Sequence, residues 1–118
     1  MFSNRKAGHK PEGSIVSECL IALSEAGCLA WRQNTGVLKD ATGRPIKFGL
    51  CKGSSDIIGL CADGRFLAVE CKTATGKATP DQERFLSAVR ARGGRAGIAR
   101  TGAEAVAIAR GGAQITTG

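Results

Sequence analysis

At 118 residues, 42% of them hydrophobic, the chain is sized for one domain with a modest core; 4% aromatic content leaves Val, Ile, Leu and Ala to fill it. Seventeen Lys and Arg against ten Asp and Glu give a net charge of +7 and a pI near 9.6, the balance of a protein with an anionic partner, most often nucleic acid. Five cysteines without a CxxC pair and the single His9 exclude the usual zinc spacings, and no apolar run or targeting segment points to a membrane, so reduced thiols in a soluble cytoplasmic protein are expected.

Residues 1–13 (MFSNRKAGHKPEG) are polar and basic, a flexible arm that either touches a nucleic-acid backbone or is simply solvated. A single domain over 14–111 follows. A helix is predicted from Ser14 to Ala26, with Gly27 as its stop. Ile15, Cys19, Ala22, Leu23 and Ala26 share one helical face, and Glu18 and Glu25 lie together on its flank. Leu29–Asn34 has strand character. The segment 35–55 is rich in Gly and in basic residues, with room for a short hairpin around Ala41–Pro45.

Two strands are expected next, Asp56–Cys61 and Phe66–Lys72, joined at Ala62-Asp63-Gly64. A second helix, Pro80–Arg92, has a well-marked start: Thr79 at the N-cap, Pro80 at the first position and Gln82 three residues after the cap. Gly93-Gly94 ends it. Arg95–Arg100 is a short strand, Ala103–Arg110 a last helix, and 112–118 a frayed tail. The order α-β-β-β-α-β-α makes the chain mixed α/β.

The chemistry concentrates between Gly53 and Lys72, GSSDIIGLCADGRFLAVECK, where charges close two apolar strands. Glu70 and Lys72, two apart on a strand, project from one face about 7 Å apart. Whether Asp56 joins them depends on the hairpin register. A two-residue Asp63-Gly64 turn pairs Asp56 with Cys71 and sends it to the wrong face. A three-residue loop with Gly64 left-handed pairs Asp56 with Glu70, and this register is the predicted one. Two carboxylates and an ammonium then converge, an arrangement costly to bury without a ligand.

Mg²⁺ favours one or two carboxylates, waters and a phosphate oxygen, so Asp56 and Glu70 are the candidate metal ligands and the Cys71 carbonyl a third. Mn²⁺ is expected to substitute. The Cys71 thiol points into the core. Lys72 is assigned to positioning the attacking water and stabilising developing negative charge. The plainer alternative is a strand-end ion pair between Glu70 and Lys72, with Asp56 a turn residue.

Asp…Glu-x-Lys on adjacent strands after an N-terminal helix resembles the PD-(D/E)XK nucleases. Further features are similar to their virus-type replication-repair nuclease (VRR-NUC) branch: Glu18, Arg32-x-Asn34-x-Gly36, Gly53-Ser54-Ser55-Asp56, and Gln82 opening the helix after Glu-x-Lys. The resemblance covers about residues 14–110. Ser55 stands where the superfamily's name-giving proline would be. The resemblance implies a restriction-endonuclease-like core, a mixed central sheet flanked by helices, with metal ligation by Asp56 and Glu70 and with Lys72 at the attacking water. It also implies Glu18 as an acid reaching the metal through water, and Gln82 as a site support. The residues alone do not separate Glu18 from Glu25, and capping already accounts for Gln82.

Lys39, Arg44, Lys47 and Lys52 precede Asp56 in the Gly-rich segment and are candidate contacts to DNA phosphates. Arg32 and Asn34 are either further phosphate contacts or a solvated strand edge. No recognition helix is visible and Trp31 alone offers no stacking platform, so recognition by shape and backbone is expected. Small stand-alone proteins similar to this one are implied to be homodimers that cut branched DNA, including four-way (Holliday) junctions. A restriction-type or flap nuclease, or a non-catalytic DNA-binding module, are the competing readings.

Overall fold

The computed structural model describes residues 11–33, 36–48 and 53–112. Helix α1 spans Glu12–Glu25 and buries Ile15, Val16, Cys19 and Leu23, spaced three to four apart on one stripe. It starts two residues before the predicted Ser14, because Pro11 takes the extended N-cap position and its carbonyl accepts from the Ser14 N–H. The last two residues assigned to the arm are thus helical, while residues 1–10 lie outside the described set, as do 113–118 of the tail.

The central sheet holds β1 (Leu29–Arg32), β4 (Ile57–Leu60), β5 (Phe66–Cys71) and β6 (Arg95–Ala99), in the order β1-β4-β5-β6. The first two pairings are antiparallel and β5–β6 is parallel, so the sheet is mixed. Helix α2 (Pro80–Ala91) makes the crossover from β5 to β6, the connection a parallel pair demands. Helix α3 (Gly102–Ala109) closes the fold and packs on α1 and β6. Counting the elements of this sheet and its helices along the chain, their order is the expected α-β-β-β-α-β-α. The Gly-rich segment adds a separate ribbon, β2 (Gly36–Lys39) with β3 (Pro45–Phe48). Asp40 ties its turn: Oδ1 accepts from the backbone N–H of Thr42 and Arg44 and from the Thr42 hydroxyl, which holds its carboxyl below the usual range.

Strand alternation divides the interior. Ile57, Leu67, Val69, Cys71 and Ala99 point to the side covered by α1 and α3, where they meet Ile15, Cys19, Leu23 and Ile108. Ile58, Ala68 and Ala96 point to the other side, under Leu86 of α2. Among the described residues no helix is long and apolar enough to cross a membrane.

Candidate active site

Leu60 pairs with Phe66 and Ile57 with Val69, and Cys61 donates its N–H to the Arg65 carbonyl, which leaves Ala62-Asp63-Gly64 as a three-residue loop. Gly64 carries φ +89°, a left-handed conformation that a side chain would strain. One step back along this register, Asp56 stands opposite Glu70, as the three-residue turn requires. Asp56 Oδ2 accepts the Cys71 N–H at 2.9 Å, so the acid is tied directly to the end of β5. Gly53, at φ +84°, lets the approach to Asp56 lie flat on α2: a Cβ there would sit 2.5 Å from the Asp81 carbonyl oxygen.

Even-numbered residues of β5 face α2, so Glu70 emerges where the start of that helix can reach it. Thr79 accepts the Gln82 N–H at 3.2 Å, and Gln82 Oε1 accepts the Thr79 N–H at 2.8 Å, completing a capping box. With its oxygen thus engaged, the Gln82 amide presents Nε2 to Glu70 Oε2 at 2.7 Å. Lys72 Nζ lies 3.3 Å from the same oxygen. Gln82 therefore caps α2 and bonds Glu70 at the same time.

Glu70 is 1% exposed. Its Oε2 has two donors, but Oε1 is buried with no hydrogen-bond partner. Burial first, and the Asp56 charge second, raise the Glu70 carboxyl to about 7, against a smaller opposing pull from Lys72. A buried carboxylate oxygen without a donor, beside a second carboxylate, fits a cation as the missing partner. Among the described residues no cluster of three His, Cys, Asp or Glu forms a cage of side chains, so the fit is to a cation that keeps waters and takes substrate oxygen.

Behind Glu70, the Cys71 thiol points to the α1 side and touches that of Cys19, both fully buried. Their hydrogen bond lowers the Cys19 thiol and, together with burial, raises that of Cys71. The described cysteines are free thiols.

The other expected site residues are placed less centrally. Glu18, on α1, accepts the Gly102 N–H at the start of α3 with Oε2 at 2.8 Å. It stands at the same end of the sheet as Lys72, on the opposite side from α2. Glu25 is exposed at the far end of α1. Arg32 pairs with Ile57 and so faces away from Asp56 and Glu70. Lys39 and Arg44 are exposed on the β2–β3 ribbon, Lys47 lies in β3, and Asn34 and Lys52 fall outside the described residues.

Gln33 was not singled out by sequence reasoning. Its N–H donates to the Asp56 carbonyl at 2.7 Å, which puts it directly across from Asp56 and on the same face. Only the pairing of β1 with β4 reveals this. The apolar cavity of about 400 Å³ formed by Phe66, Phe85, Ala88, Val89, Arg92 and Gly94 is remote, at the other end of β5.

No curated protein matches the chain. The model of the VRR-NUC domain matches residues 17–103, from just before Glu18 to the first turn of α3, and so takes in the hairpin, the capping box and every residue placed around Glu70. The carboxylate pair, its lysine and its glutamine thus sit in a chain that belongs to the VRR-NUC family, nucleases of the PD-(D/E)XK superfamily.

Proposed function

We propose that the protein is a Mg²⁺-dependent, structure-selective DNA endonuclease, with Mn²⁺ able to replace Mg²⁺, and that it resolves four-way junctions as a homodimer. The observation that carries the metal-dependent reading is Glu70 Oε1, buried without a donor beside Asp56. Asp56, Glu70 and the Cys71 carbonyl would hold the cation, whose chemistry there would be Lewis-acid polarisation of the phosphate and a lowered pKa for bound water. Gln82 and Lys72 fix the Glu70 carboxylate through Oε2, which leaves Oε1 for the cation. Lys72 Nζ, 3.3 Å from Glu70 Oε2, orients the attacking water and meets the negative charge that grows on the phosphate oxygens. Glu18 is assigned as an outer acid acting through water.

Lys39, Arg44, Lys47 and Lys52, with Asn34, are proposed to follow the DNA backbone; Arg32, turned to the other face of the sheet, is set aside. Resolving a junction takes two matched nicks, and a two-fold dimer offers two sites to a two-fold substrate. The test is cleavage of matched duplex, flap and four-way-junction DNA with and without Mg²⁺. Lys72→Ala and Asp56→Asn are expected to lose about a hundredfold or more in rate while still binding DNA. Wild-type-like cutting by both variants would remove the assigned site. Cutting of duplex or flap in preference to the junction would retain the chemistry and reassign the substrate.

A further inference from the structure

Against the expectation from sequence that a lone Trp31 offers no stacking platform, we infer that Trp31, set on the face of the carboxylates, is one for an unpaired nucleobase beside the scissile phosphate, a specificity element that rests on the nuclease reading above. Trp31 pairs with Ile58, and Ile58 with Ala68. Directly paired residues share a face and faces repeat every second residue, so Trp31 lies on the side of the sheet that carries Gln33, Asp56 and Glu70. It is two residues from Gln33 on the same strand, about 7 Å along the chain from the row that holds the carboxylates.

Helix α2 covers this face over β5 and β6 and packs on their residues. Towards the β1 edge this cover thins: Ile58 is still buried at 4%, but its partner Trp31 is 47% exposed, and Leu29 and Leu60, paired in the next row, are 64% and 41% exposed. A polar row that suits a phosphate therefore runs directly into an apolar floor headed by the largest aromatic side chain. The floor is continuous with the site and lies within one nucleotide's reach of it. An indole face takes any base by stacking, but only a base whose own stacking partner has been lost. Paired duplex bases do not qualify; bases at a branch point, a flap junction or a single-stranded end do. Trp31 thus supplies a physical basis for preferring distorted DNA that the phosphate-binding cations cannot supply, since they read every duplex alike.

Trp31 is the only Trp and the chain has no Tyr, so intrinsic fluorescence reports on this position alone. The experiment titrates the wild-type protein, with Ca²⁺ in place of Mg²⁺, against a single strand, a four-way junction and a fully paired duplex of the same sequence. Anisotropy of a labelled oligonucleotide gives occupancy. Single strand and junction are expected to quench Trp31 at saturation and duplex to leave it bright. Trp31→Ala is expected to weaken single-strand binding on the order of tenfold and Trp31→Phe by much less, because a ring remains. Unchanged fluorescence at full occupancy, or an equal loss of affinity for single strand and duplex in Trp31→Ala, overturns the proposal. So does a fluorescence change that follows protein concentration without DNA, which would mark the floor as a contact between two copies. Metal-dependent cleavage by the wild type, run in parallel, separates the outcomes: cutting with a silent Trp31 removes only the stacking role, and quenching without cutting removes the nuclease reading.

Discussion

Glu70 carries the site's energetic tension in one side chain. Its carboxyl is raised from 4.5 to about 7, so the folded protein binds a proton more tightly than the unfolded chain does. That extra stability is complete below about pH 4.5 and is lost as pH rises through about 7. Glu70→Gln, which keeps shape but not charge, should therefore gain stability over wild type progressively between pH 5 and pH 8, on the order of 1–3 kcal/mol at the upper end. Thermal melts of both proteins across that range check this; a gap that does not widen with pH would show that burial is not straining the charge. The same variant should be inactive, because a neutral amide is a poor cation ligand. Asp56, Glu70 and Lys72 were legible in the sequence because charged residues closing apolar strands stand out against the strand pattern. Gln33 was not, since nothing in Leu29–Asn34 says which alternate residues face the carboxylates until β1 finds β4. Glu18 was legible only by resemblance, and its bond to the Gly102 N–H depends on α1 and α3 meeting.

At the scale of elements, two local devices set the site. One is the three-residue loop that puts Asp56 opposite Glu70, and it was readable because Ala62-Asp63-Gly64 offers a glycine where the backbone must turn left-handed. The other is the capping box of α2, readable from Thr79, Pro80 and Gln82. The sequence left the capping and site readings of Gln82 open, and the structure has it bonded to both Thr79 and Glu70. Thr79→Ala should cost about 1 kcal/mol of stability through the lost cap. It should also lower the cleavage rate, because Gln82 is freed from the geometry that aims Nε2 at Glu70. Comparing its rate with those of the wild type and of Thr79→Ser, which keeps the capping hydroxyl, checks the link. Equal rates would separate cap from site. The β2–β3 ribbon was visible only as a hairpin around its turn: four-residue strands spaced by glycines carry too little alternation to be read as a sheet.

At the scale of the molecule, a net charge of +7 surrounds a site that itself carries two acids. Attraction to DNA is therefore general and the acids are local, and binding should weaken steeply with added salt. A plot of log affinity against log salt concentration with a slope of several units is the expected outcome, and a flat plot would remove the phosphate contacts. The α/β class and the order of elements along the chain followed from periodicity and turn residues. The sheet order β1-β4-β5-β6 did not, because it is decided by packing against α1, α2 and α3 rather than by neighbours in the chain. The hairpin from Asp56 to Lys72 has a kinetic consequence. Tight hairpins close in microseconds, long before a parallel crossover such as β5–α2–β6 is complete. The two carboxylates are thus brought face to face while Gln82 is still elsewhere on the chain, and their repulsion is met early in folding. Divalent cations and protons relieve that repulsion and are expected to raise the folding rate, which stopped-flow refolding with and without Mg²⁺ checks.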